Sequence, residues 1–229
     1  MHLNGEDMRL QRQHVETQVN EIASDLRQQV GQLVEVQIAI SKMPLLRSIN
    51  SLIDQEKPDL IIIGSDGNDY VDESYIGEQI ISIARTSVAS VLVVPSKYTY
   101  EPVKKVVLAC NYKTILRTQA LAALESRYNW LHPEILVLNV DAGKDHQANQ
   151  QERTVIETHL QQILKNYQYS VYYVSDRDIL QGITSFANQH HIEMIIALPG
   201  QHSFLYSLTH RSITAGLTSN ARQPVLILK

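Results

Sequence analysis

Three glycines, Gly64, Gly67 and Gly77, follow the apolar run Leu60-Ile61-Ile62-Ile63 at spacings of two and then nine residues. Glycine at such points allows positive φ and close backbone approach, and a helix opening at Gly77-Glu78 would present unpaired N–H groups. Together these features make an anion cradle of the phosphate-binding kind. The same loop carries Asp66, Asp69, Asp72, Glu73 and Glu78. A carboxylate about 5 Å from a phosphate charge costs ~3 kcal/mol at an effective dielectric near 20, over a hundredfold in affinity. The aspartate spacing is not that of a calcium loop. Glu78 has a second reading, as a first-turn acid that stabilises the helix dipole by ~0.3–1 kcal/mol.

A second group of donors lies near the end of the chain. The loop Gly200–Ser212 holds His202, Ser203, Ser207, His210, Arg211 and Ser212 and no carboxylate. It would welcome an anion at the helix mouth; its plainer reading is a solvent-facing loop with a serine helix cap. Asn111 can hydrogen-bond a hydroxyl, and with Val140 and Ser212 it completes a candidate crevice. No nucleophile–base pair is suggested by spacing, so no catalytic residue is assigned. His190-His191 and the His202/His210 pair have no cysteine or carboxylate at ligand spacing, and no metal site is assigned. Cys110 ends an apolar run and reads as a small core residue rather than a nucleophile. Trp130 reads as a plug at a helix end. Tyr169, Tyr172 and Tyr173 share one strand, with Tyr172 facing opposite to Tyr173.

The elements that must position these residues alternate. Val106–Cys110, Ile135–Val140, Ser170–Ser175, Met194–Leu198 and Val225–Leu228 are short, largely apolar runs, as expected of strands buried on both faces. Between them, helical spacing spans Ile115–Tyr128, Gln151–Tyr167 (stripe Val155, Ile156, Leu160, Ile163, Leu164), Ile179–His190 and Tyr206–Ser219. Strand and helix in alternation predict an α/β fold, a doubly wound parallel sheet with helices on both faces. The front of the chain predicts helix Arg12–Val30, strand Val34–Ile40, helix Pro44–Gln55, strand Leu60–Ile63, helix Tyr75–Thr86 and strand Val91–Val94.

The two halves are copies. At an offset of 134 residues, Asp59–Ile63 falls on Glu193–Ala197, Val91–Val94 on Val225–Leu228 and Val36–Ser41 on Ser170–Ser175. The chain therefore reads as two repeated modules, 1–97 and 104–229, joined by a short linker, 98–103. The first copy has no counterpart of Lys104–Glu134, so it lacks an opening strand and helix. A sheet without that strand would leave β-edges unpaired. The expectation is that the natural protein begins upstream, or that another segment fills the gap.

On the strength of Gly64-x2-Gly67-x9-Gly77 after "DLIIIG", with "VLVVP" as the following strand, the chain resembles the universal stress protein family. The resemblance spans nearly the whole chain as a tandem of two five-stranded, Rossmann-like modules, the first incomplete. It implies a nucleotide crevice, with ATP or AMP as the cofactor class, in which Ser212 matches the family's phosphate-contacting hydroxyl. Asn111 stands where the family has an acidic residue, and Glu78 where it has Ser or Thr. In the second copy Leu198, Gln201 and Arg211 replace the three glycines. The resemblance further implies a role in stress response by binding, pairing of the modules through Val91–Val94 and Val225–Leu228, and a homodimer. A scaffold that has lost its ligand is the alternative, and a nucleotide hydrolase is the least favoured.

The bulk properties agree with a packed protein of 229 residues, 44% hydrophobic. A net charge of −4 argues against a nucleic-acid or anionic-membrane binder, which needs a basic surface. A single cysteine cannot form an internal disulfide and points to a reducing compartment. No apolar run approaches the ~20 residues of a membrane helix, and the expectation is a soluble, cytoplasmic protein.

Overall fold

The computed structural model describes residues 5–64, 82–84, 86–95, 98–110, 120–128, 131–141, 150–198 and 223–229. The chain divides into two compact units, Met1–Pro44 and Leu45–Lys229. The first contains the long helix α1 (Gly5–Val30) and a single 3-10 turn, Gly31–Leu33. Gly31 has φ +65°, the left-handed conformation that ends helices with least strain in glycine.

The strand expected at Val34–Ile40 does not form. The backbone is extended at Val34 (φ −129°, ψ 127°), but residues 34–40 join no ladder. Arg27 Nη2 donates to the Val36 carbonyl at 2.7 Å and ties the segment to α1 instead. At the 134-residue offset the equivalent strand, Tyr169–Ser175, is held by Glu134–Asp141; the residues that match Ile135–Asp141 are 1–7, and of these Gly5–Asp7 belong to helix α1. Extended backbone becomes a strand only when a second chain segment supplies the other half of the hydrogen bonds.

The second unit holds α2 (Leu45–Glu56), β1 (Leu60–Gly64), β2 (Ser90–Val94), β3 (Lys105–Ala109), α3 (Ala122–Ser126), β4 (Glu134–Asp141), α4 (Gln150–Ile163), β5 (Tyr169–Ser175), α5 (Ile179–Gln189), β6 (Met194–Ala197) and β7 (Val225–Ile227). The described strands form one sheet of seven, ordered β1-β2-β7-β6-β3-β4-β5. All neighbours are parallel except β2 and β7, which pair antiparallel with Leu92 opposite Leu226.

Alternation along each strand sorts its side chains onto two faces. One face gathers Val91, Val107, Leu136, Leu138, Ile195 and Ile227 beneath α5, with Leu46 and Ile49 of α2 packed on the same cluster. The other gathers Val106, Leu108, Ile135, Val137, Ile196 and Leu226 beneath Leu121, Leu124, Ile156, Leu160 and Leu164. Val155, placed on the apolar stripe by its spacing, is instead exposed. It lies a helical step beyond the arc that Ile156, Leu160 and Leu164 bury. The expected helix Ile115–Tyr128 falls outside the described residues over 115–119, Tyr75–Thr86 falls largely outside them and Tyr206–Ser219 wholly; residues 82–84 and Ala122–Ser126 are helical. Among the described residues no helix is long and apolar enough to cross a membrane.

Candidate functional site

From β3 the chain moves outward through β4 to β5, then crosses back to lay β6 on the other flank of β3. The winding direction reverses between β3 and β6. A parallel sheet opens a crevice at that point, beyond the carboxyl ends of its strands. Here those ends are Cys110 and Leu198. The strands that set the crevice are rigidly placed, since Val106, Val107, Leu108, Ile195 and Ile196 are fully buried.

Cys110 continues β3. Its N–H donates to the Leu138 carbonyl at 3.1 Å, and its carbonyl accepts from Asn139 Nδ2 at 3.3 Å. Asn139 is buried, and this bond satisfies a polar side chain that would otherwise cost stability. It is the one polar residue inside Ile135–Val140, a signal in the sequence that went unused. The Cys110 residue keeps partial exposure, yet burial of the thiol pushes its pKa up to about 12. A thiol held neutral is not a nucleophile.

Val140 ends β4 on the α5 side and packs on the cluster of that face. Gly182 of α5 approaches it so closely that a β-carbon would lie 2.7 Å from Val140 Cγ1. Val140 is thus gripped by a helix as well as positioned near the crevice mouth. The start of that helix is fixed by Asp178, whose Oδ1 accepts from Leu180 N at 2.9 Å and Gln181 N at 3.1 Å. Two of the helix's unpaired donors are thereby satisfied.

On the opposite face Tyr173, level with Asn139 across the β4–β5 ladder, lies under Arg153 of α4, whose guanidinium carbon sits 4.6 Å from the ring centroid. Arg153 Nε is buried without a hydrogen-bond partner among the described residues. Burial, and then the charge of Glu157, raise the Tyr173 pKa; Arg153 opposes them. Sequence spacing gave no hint of this pair, which is separated by 20 residues and joined only by the α4–β5 packing.

Gly64 ends β1, exposed, and apart from its chain neighbours no atom of the described residues lies within 4 Å of where its β-carbon would be. Because β2 and β7 are antiparallel, the carboxyl ends of β1 and β2 open toward the opposite end of the sheet from those of β3 to β6. Gly64 and Val140 therefore belong to different crevices. Among the described residues Gly64 is flanked by one strand, since β1 is the end strand of the described sheet. Gly67, Gly77, Asn111, Arg211 and Ser212 lie outside the described residues, as do Glu78 and the loop Gly200–Ser212. Leu198, 134 residues after Gly64, is buried.

Among the described residues no three His, Cys, Asp or Glu side chains converge as a metal site would require. His190 stacks on Phe186 at 4.1 Å and lies 5.3 Å from Tyr172, a packing role for one of the histidine pairs.

No protein-family model and no curated protein matches the sequence. Solved structures do match the fold. A universal stress protein from Archaeoglobus fulgidus DSM 4304 superposes with a TM-score of 0.69 at 13% identity, over 100% of this chain and 80% of that one. A putative universal stress protein from Pseudomonas aeruginosa UCBPP-PA14 gives 0.60 at 14% identity, over 93% and 78%. A functionally unknown protein from Pseudomonas aeruginosa PAO1 gives 0.59 at 15%, over 93% and 77%. At such identities the likeness is one of backbone path, and it agrees with the doubly wound α/β sheet, the switch point and the buried parallel strands described above. The chain has the universal stress protein fold.

Proposed function

We propose that this chain is a universal-stress-type protein that works by binding, and that it holds an anion or a nucleotide such as ATP or AMP in the crevice at the carboxyl ends of β3 and β6. The observation that carries the reading is the reversal of winding at β3/β6, a site that open α/β sheets use for ligands. Around it the sequence supplies Asn111 as a hydroxyl partner, Val140 as an apolar wall, and Arg211 and Ser212 as anion donors. The loop Gly200–Ser212 adds no carboxylate to oppose a phosphate. The crevice beside Gly64 is the weaker candidate: among the described residues one strand flanks it, and five acids follow it in sequence.

The competing reading is a scaffold without ligand. Buried Leu198 favours it, because a side chain stands where the first copy offers bare glycine backbone. A thermal-shift titration with Mg-ATP, Mg-ADP and AMP separates the two. A ligand at 100 times its dissociation constant stabilises the fold by about 2.7 kcal/mol, and Arg211→Glu should erase that shift while leaving the unliganded melting point unchanged. No shift at millimolar nucleotide favours the scaffold. An unchanged shift in Arg211→Glu moves the ligand elsewhere.

A further inference from the structure

Asn139 is the one uncharged polar residue of β4, and it is 8% exposed. It stands level with Tyr173 of β5. On its other flank, one step beyond the last β3–β4 pair of Ala109 with Leu138, lies Cys110. Val137, two residues earlier on the same face, packs among Val106, Leu108 and Ile135, so an apolar side chain would suit the position. An amide buried there is unfavourable unless it is hydrogen-bonded. The bond that offsets this runs from Asn139 Nδ2 to the Cys110 carbonyl at 3.3 Å.

The effect of that bond depends on where the ladder stops. Cys110 N–H makes the last backbone bond from β3 to β4, to the Leu138 carbonyl. At the carbonyl of the same residue the donor is a side chain. A peptide unit is planar, so the direction of that carbonyl sets the direction in which the chain leaves β3 at the switch point. We infer that Asn139 is a positioning residue of the crevice, whose amide pins the carbonyl end of β3 and the peptide bond that leads into Asn111. This role rests on the binding proposed for that crevice; the pinning itself does not. Asn139 acts through the Cys110 carbonyl, and it replaces the backbone partner that a longer ladder would have supplied.

Amide hydrogen exchange on the full chain without ligand reads the pinning. Asn139→Val suits a strand and has no donor. It should lower the protection of the Cys110 amide about tenfold, as loss of one hydrogen bond implies. Leu108 should keep its protection, and the melting transition should stay cooperative. Asn139→Asp should behave alike at about pH 8, where a carboxylate has no proton to donate. As the pH falls toward about 4.5 it should regain protection relative to the parent, because burial favours the neutral carboxyl, whose O–H can serve the same carbonyl. Cys110 and Tyr173 stay neutral over that range, since burial raises both pKa values, and the charged groups beside Tyr173, Arg153 and Glu157, are common to both proteins. In a Mg-ATP titration Asn139→Val should weaken binding by about tenfold as well. Unchanged Cys110 protection, a loss shared equally by Leu108, or no recovery in Asn139→Asp would overturn the inference. So would lost protection with undiminished Mg-ATP affinity. A parent that binds neither Mg-ATP nor AMP overturns the binding reading instead, and the exchange data then still decide whether Asn139 pins β3.

Discussion

Gly182 on α5 touches Val140 on β4 so closely that a β-carbon on the glycine would fall 2.7 Å from Val140 Cγ1 and 3.1 Å from Asp176 Cβ. The contact sets how near α5 can lie to the strand that ends at the crevice. Gly182→Ala gains up to ~1 kcal/mol in helix propensity but forces apart a β-branched side chain with little rotamer freedom. Overpacking of this kind costs ~1–3 kcal/mol. A net loss of about 1 kcal/mol is expected in urea unfolding. Adding Val140→Ala should recover part of it, so that the double variant loses less than the sum of the single losses.

Cys110 gives the stability a distinctive alkaline limb. Its thiol has an ordinary value of 9.0 and is pushed up to about 12 in the fold by burial. The unfolded chain therefore releases this proton first. The contribution is intact below pH 9.0 and declines as pH rises toward about 12, at ~1.4 kcal/mol per pH unit. Cys110→Ala should flatten the limb relative to the parent between about pH 9 and 11, as read by denaturant unfolding at several pH values. Parallel curves for the two proteins would refute the assignment.

Asp178 caps α5 with two bonds from one carboxylate oxygen. Asp178→Ala should cost ~0.5–2 kcal/mol, and Asp178→Asn only a small part of that. The loss should be accompanied by faster amide exchange at Leu180 and Gln181, which loses its meaning if other helices exchange faster too.

Arg153 and Tyr173 are both of intermediate burial, so the worth of their contact is modest. Arg153→Met should destabilise by ~0.5–1 kcal/mol. In a Tyr173→Leu background the same change should be nearly neutral. An undiminished cost in that background would mean that Arg153 acts through something other than the ring.

Much of the architecture could be read along the chain. Strands such as Lys105–Ala109 and Met194–Ala197 are marked by continuous apolar runs, and α5 by its spacing, because burial on two faces or on one stripe leaves a local pattern. Val34–Ile40 carried the pattern of a strand just as clearly and did not become one. Alternation records which side chains can face a core, and it is silent on whether a neighbouring strand is present. The candidate site was less legible. Asn139 could have been noticed as a polar interruption, but its bond to the Cys110 carbonyl joins residues from two strands. The Gly182–Val140 grip and the Arg153–Tyr173 stack leave no local trace at all.

By itself the sequence determined the alternation of βα elements and the apolar strands of a doubly wound sheet. These follow from backbone periodicity and from the need to bury apolar side chains, and both act within one element. The tertiary structure alone decided that Ile196 is sealed while Ile62 faces solvent. It likewise decided that Gly64 and Val140 open to opposite ends of the sheet, and that Val155 turns outward from its stripe. Those outcomes depend on which strands lie side by side and in which direction. That is settled by hydrogen bonds and packing between residues far apart in the chain.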